Sequence, residues 1–252
     1  HFFAWVASVS LANEDDYDMK DLFSHYKDKI GEETNLDSLG KILLEMGEYD
    51  KAAKYYEQYL NESQIAMADS LCGLGTADLR NGNYDEALNS LRKALELREK
   101  LYSYNHPDVA QCYMRIGLVY NCMKDYDTAL NYYSKTLDIQ QKTLPVNHSD
   151  FAKTYGNIAL SHVGKCEYEL ALRYYAKASE NQEINLPASH HHIAMMSDNI
   201  GVVYENMCDY QKAMEYYEKA HQIFRKTLPP SHEFTKTAED NIRRLKLEKK
   251  LN

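Results

Sequence analysis

His106, His148, His190 and His232 stand 42 residues apart, as do Tyr84, Tyr126, Tyr168 and Tyr210, and Ala87, Ala129, Ala171 and Ala213. A fixed period of this length marks a chain built by stacking two-helix units, none of which can bury its apolar face alone. Such a chain grows by adding units rather than by enlarging one core. The period also turns the functional question from a catalytic pocket to a binding surface.

Each unit repeats one pattern. Leu74-Gly75, Ile116-Gly117, Ile158-Ala159 and Ile200-Gly201 share a register inside helix-period segments. Glycine in a helix interior costs up to about 1 kcal/mol, and close approach of a second helix is the reason to accept it. A breaker follows: Asn81-Gly82-Asn83, Lys124-Asp125, Cys166-Glu167 or Cys208-Asp209. The second helix then opens with Tyr84, Ala87, Leu91 and Ala94, one face of a 3.6-residue period. Its later copies are Tyr126/Ala129/Tyr133/Thr136, Tyr168/Ala171/Tyr175/Ala178 and Tyr210/Ala213/Tyr217/Ala220. In the pairs Tyr132/Tyr133, Tyr174/Tyr175 and Tyr216/Tyr217 the second ring falls on that core stripe and the first, offset by about 100°, at most borders the groove. Between units, Leu144-Pro145, Leu186-Pro187 and Leu228-Pro229 precede the periodic histidines. Proline ends the long helix, and the Asn or Ser before each His is the expected N-cap of the next.

The Leu-Gly, Tyr and Ala-x-x-x-Tyr-x-x-Ala pattern resembles the tetratricopeptide repeat, and the 42-residue period is similar to the variant found in kinesin light chains. The resemblance covers roughly residues 34–250. It implies an all-α, right-handed superhelical solenoid with units at 34–67, 68–109, 110–151, 152–193 and 194–235 and a capping helix over 236–252. The first unit carries Leu39-Gly40, Tyr49, Ala52 and Tyr56 but lacks the extra loop, since Gly40 and Gly75 are 35 apart.

Residues 1–33 differ. Phe2–Leu11 reads as a strand, and Leu22, Phe23, Tyr26 and Ile30 give the following segment one apolar helical face. A lone strand is not stable by itself, so this stretch is expected to be the remnant of an upstream domain in a longer protein. It also resembles the junction that follows an arginine-type mono-ADP-ribosyltransferase domain, without any catalytic residue of that family. On that resemblance the array would be the regulatory, substrate-recruiting part of such an enzyme; a cargo adaptor like a kinesin light chain is the other alternative. No heptad segment precedes the repeats.

The net charge of −9 supplies no positive face for phosphates, so nucleic acid is not an expected partner. Five cysteines, odd in number and without C-x-x-C, point to a reducing, cytoplasmic setting without disulfides, and four of the five are expected inside helices. No stretch has the apolar length of a membrane span. Histidines 42 apart lie on successive helix layers about 10 Å apart, too far to share one ion. His190-His191-His192 is closer spaced but occupies the same loop position, and no metal is expected. No nucleophile–base pair or phosphate loop appears, so neither catalysis nor a cofactor is expected.

The candidate site is the groove. In tetratricopeptide arrays the first helices line a concave face that holds extended or helical peptides. At the inward positions this chain places Arg80, Arg115, Asn121, Asn157, Asp198, Asn199, Glu205 and Asn206. Asn157, Asn199 and Asn241 share one position, resembling the asparagines of kinesin light chains that contact a peptide backbone. An amide suits that role because it offers donor and acceptor together. The expected partner is a protein or peptide.

Overall fold

The computed structural model describes residues 36–185, 187 and 190–249. The strand and helix expected over 1–33 lie outside them. Among the described residues there are ten helices and no strand: α1 (Leu36–Glu45), α2 (Tyr49–Asn81), α3 (Tyr84–Leu101), α4 (Pro107–Cys122), α5 (Tyr126–Thr143), α6 (Ser149–Gly164), α7 (Tyr168–Asn185), α8 (His191–Asn206), α9 (Tyr210–Thr227) and α10 (Glu233–Lys249). Two compact units divide the chain, one ending at Gln64 and one beginning at Ile65.

In the first unit Leu39, Leu43 and Ala52 are buried beneath Tyr55 and Tyr56. Gly40 is required there, because a Cβ would fall 2.7 Å from the Tyr56 ring. No turn occurs at the repeat boundary drawn at 67/68, since α2 runs unbroken from Tyr49 to Asn81. The stretch 57–66 holds neither Gly nor Pro, so nothing stops the helix. The later connections carry Pro145, Pro187 and Pro229 and do break.

The second unit is a stack of antiparallel pairs. Helix α4 packs on α5, α6 on α7 and α8 on α9, and successive pairs join through α3–α4, α5–α6, α7–α8 and α9–α10. The core follows the 42-residue register. Ala87, Ala129, Ala171 and Ala213 are fully buried, as are Leu91, Tyr133 and Tyr217 in the position one turn on. Facing glycines make room for those large side chains: a Cβ on Gly75, Gly117 or Gly201 would meet Leu91, Tyr133 or Tyr217 within 2.7 Å.

The turn inside each pair is closed by a residue in the left-handed region: Gly82 (φ +81°), Lys124 (+64°), Cys166 (+61°) and Cys208 (+62°). The next amide reaches back into the finished helix, as Asp125 N–H to the Tyr120 carbonyl and Asp209 N–H to the Tyr204 carbonyl, both 2.9 Å. This capping pattern satisfies carbonyls the helix leaves open. It also corrects the placement of the cysteines. Cys72, Cys112 and Cys122 lie in helices, while Cys166 and Cys208 are exposed turn residues.

The periodic histidines are themselves the N-caps, not the Asn or Ser before them. Each Nδ1 accepts from the backbone N–H two residues on: His106 from Asp108, His148 from Asp150 and His190 from His192, each at 3.2 Å, and His232 from Phe234 at 3.3 Å. An imidazole nitrogen reaches an open first-turn amide as a hydroxyl or carboxylate does. The preceding Pro-x-x-His turn, closed by His148 N–H to the Pro145 carbonyl at 2.9 Å, sets the ring in place.

Candidate peptide-binding surface

The first helices of successive repeats (α2 from Ile65 onward, α4, α6, α8 and α10) carry all the candidate residues. Polar bonds about one repeat apart in sequence tie α2 to α4, α4 to α6 and α8 to α10. Arg115 Nη1 donates to Thr76 Oγ1, and Ser161 Oγ donates to Asn121 Oδ1 at 2.7 Å. Asn241 Nδ2 donates to Asp198 Oδ1 at 3.3 Å. Arg244 grips both carboxylate oxygens of Glu205, and Tyr217 Oη donates to Glu205 Oε2 at 2.8 Å.

These bonds sort the candidates. Glu205 is committed to holding α10 on α8. Asn121 and Asp198 each spend an oxygen on a neighbouring helix. Burial pushes the Asp198 carboxyl above its ordinary range, partly offset by the Asn241 amide. Asn157, Asn199 and Asn206 keep their amides clear of any partner among the described residues. Asn199 and Asn206 are exposed and Asn157 is half-buried.

Two of the cations are brought together. Arg80 and Arg115 line one open depression of about 440 Å³ together with Gly73 and Thr76. Farther along, Leu160, Met195 and Val202 are exposed at 42%, 37% and 37%, giving the same run of helices apolar footing. Asp69, on α2, is bound by Arg98 at 2.6 Å. The buried Arg98 also donates to Cys112 Sγ, which lies 3.7 Å from Cys72 Sγ. That thiol–thiol contact, then the cations of Arg98 and Arg115, lower the Cys72 thiol to about 7 against the opposing effect of burial. Sequence reasoning did not find Ser161, nor the pairing of Thr76 with Arg115 or of Arg244 with Glu205, although partners spaced 39 or 40 residues apart, close to one repeat, were a legible signal.

The ligating atoms of His190, His191 and His192 lie within 4.8 Å of one another, with His190 Nδ1 already used as a cap. Burial, then the neighbouring histidines and Lys153, lower the His192 pKa.

The tetratricopeptide-repeat pattern matches residues 66–142 and 150–226, and a second form of the same repeat matches 36–64. The chain belongs to the tetratricopeptide-repeat family. No functionally curated protein matches it. Similar solved structures include a kinesin light chain repeat protein of Podosopora anserina, at 18% identity and TM-score 0.61, covering 73% of this chain and 87% of that one. BtubC of P. vanneervenii is 19% identical with TM-score 0.66, over 85% of this chain and 84% of that chain. The apo form of RapI is 21% identical with TM-score 0.59, over 73% of this chain and 64% of its own length. At these identities the likeness is one of fold. The repeats here therefore share their architecture with kinesin-light-chain-type tetratricopeptide arrays.

Proposed function

We propose that this tetratricopeptide array is a non-catalytic scaffold that binds an extended segment of a partner protein along its first helices. The supporting observation is the pair Asn157 and Asn199, one repeat apart, unpartnered beside exposed Leu160 and Val202. Primary amides at a regular interval match the regular donors and acceptors of an extended backbone. Arg80 and Arg115, sharing one depression, add a place for a carboxylate of the ligand. Neither nucleic acid nor a membrane is part of this reading: the net charge is −9, and no helix among the described residues is long and apolar enough to cross a bilayer. A cytoplasmic setting belongs to the same proposal, supported by the five free cysteines.

The test is a pair of substitutions. Asn157→Ala and Asn199→Ala each weaken a captured natural ligand about 5- to 150-fold, the effect of leaving a peptide amide unpaired at about 1–3 kcal/mol. Thermal stability stays within about 0.5 kcal/mol, because both side chains are unpartnered in the free protein. Isothermal titration against the ligand reads the first effect and a melting curve the second. A ligand whose affinity ignores both changes places the binding surface elsewhere.

A further inference from the structure

A second surface is written into a break in the repeat. In one unit the Tyr113 ring stands 6.0 Å from that of Tyr132, which stacks on Tyr120 at 5.7 Å. Lys135 Nζ lies 5.4 Å from the centre of the Tyr113 ring, and Tyr113 Oη donates to Glu99 at 2.9 Å. In the next unit Tyr155, Tyr174, His162 and Lys177 rebuild the arrangement, with rings 6.2 and 5.4 Å apart and the ammonium 5.6 Å above Tyr155. One repeat later the stack is two-thirds complete. Tyr216 lies 5.6 Å from Tyr204, and Lys219 holds the lysine position. The place of Tyr113 and Tyr155 is taken by Ser197, whose hydroxyl turns back to the Ile193 carbonyl at 3.0 Å.

A cleft of about 360 Å³ opens there between α7, α8 and α9. Its walls include Ile193, Ile200, Tyr216 and Lys219, and Glu183 stands in it at the register of Glu99. A second feature marks the cleft as unfinished. Gln182, also in its wall, has a buried Oε1 with no hydrogen-bond partner. In the preceding repeat the matching Gln140 Oε1 accepts from Thr154 Oγ1 at 2.9 Å, but Met196 stands in place of that threonine.

We propose that this cleft is a docking pocket for a tyrosine side chain of a partner protein. Tyr113 shows in the same molecule how a phenol sits in such a place: ring against the Tyr216 equivalent, beneath the lysine ammonium, hydroxyl on the glutamate. The incoming ring takes that position, and its hydroxyl donates to Glu183. The apolar walls, the aromatic face and the cation select an aromatic ring, and the carboxylate selects a phenol over a phenyl group. The pocket lies among residues of α7, α8 and α9 other than those proposed to bind an extended segment, so either surface stands if the other fails.

The probe is N-acetyl-L-tyrosinamide, followed by chemical-shift titration of the intact chain. Saturable millimolar binding is expected, about 3- to 10-fold tighter than for N-acetyl-L-phenylalaninamide, the difference one hydrogen bond makes. Ser197→Tyr fills the cleft from within: it abolishes binding and raises the melting temperature. Glu183→Gln, on the exposed surface, removes the preference for tyrosine while leaving phenylalaninamide binding unchanged, and serves even if Ser197→Tyr fails to fold. No saturation by roughly 20 mM, weaker than any specific contact of this size, overturns the proposal. So does binding that neither variant alters, or equal binding of N-acetyl-L-leucinamide. If p-cresol binds and the amide does not, the pocket takes a free phenol and the partner-protein reading falls.

Discussion

Gly201 illustrates how single residues set the spacing of the helices. Its missing Cβ would lie 2.7 Å from the Tyr217 ring, and that ring cannot retreat, because its hydroxyl is held by Glu205 and Glu205 by Arg244. Gly201→Ala is therefore expected to lower stability by about 1–3 kcal/mol, even though alanine is the better helix former. Denaturant midpoints of the two proteins check this, and an unchanged midpoint means the ring yields. Ala159, the same position opposite Tyr175, shows that the register admits alanine where the facing tyrosine is not anchored in this way. Asp198 carries a residue-scale pH effect. Burial raises its folded-state pKa above the ordinary 3.8, so the ionised form is disfavoured by folding. Its contribution is fully present below the unfolded pKa and is lost as pH rises through the folded value. Asp198→Asn accordingly raises stability at pH 7, and the advantage over the parent shrinks as pH falls through the folded-state pKa and is gone below the unfolded value of about 4. Urea melts at both pH values measure it; an equal gain at each denies the linkage.

At the scale of the element, the ends of the helices carry more of the design than their middles. The His-capped helices α4, α6, α8 and α10 all start the same way, with a Pro-x-x-His turn or its divergent copy and an imidazole accepting a first-turn amide. Losing one cap leaves that amide open. His148→Ala is expected to cost about 1 kcal/mol, and His148→Asn to restore most of it. Differential scanning calorimetry reads both, and equal damage by the two variants would assign His148 a packing role instead. The tyrosine and alanine periodicity showed which helices exist and which stripe is buried. It did not show the imidazole as a cap, since Asn and Ser are the commoner caps and stood one residue away. It also did not show α2 passing 67/68 without a break, because a repeat period predicts where a turn should recur and not whether the residues present can make one.

On the scale of the whole array, stability passes between neighbours. Ala171 is fully buried among Tyr175, Ala159 and the facing helix, within a cluster that extends to Met196, Ile200 and Val203 of the following pair. Ala171→Trp is expected to unfold its own pair and weaken the next, since each repeat is stable only against its neighbours. Hydrogen exchange should show lost protection over 149–206 before 107–122, and damage confined to α7 would contradict this coupling. The sequence by itself determined the helical repeat, its register, the buried alanine and tyrosine stripe and the first-helix face that carries Asn157 and Asn199. Those follow from periodicity, which local geometry converts directly into faces. Only the tertiary structure decided which polar groups on that face are already spent: Glu205 on Arg244, Asn121 on Ser161, Asp198 on Asn241. It alone opened a cleft beside Ser197, because a hydrogen bond or a gap between repeats depends on which side chains from adjacent helices meet, and no single repeat contains both.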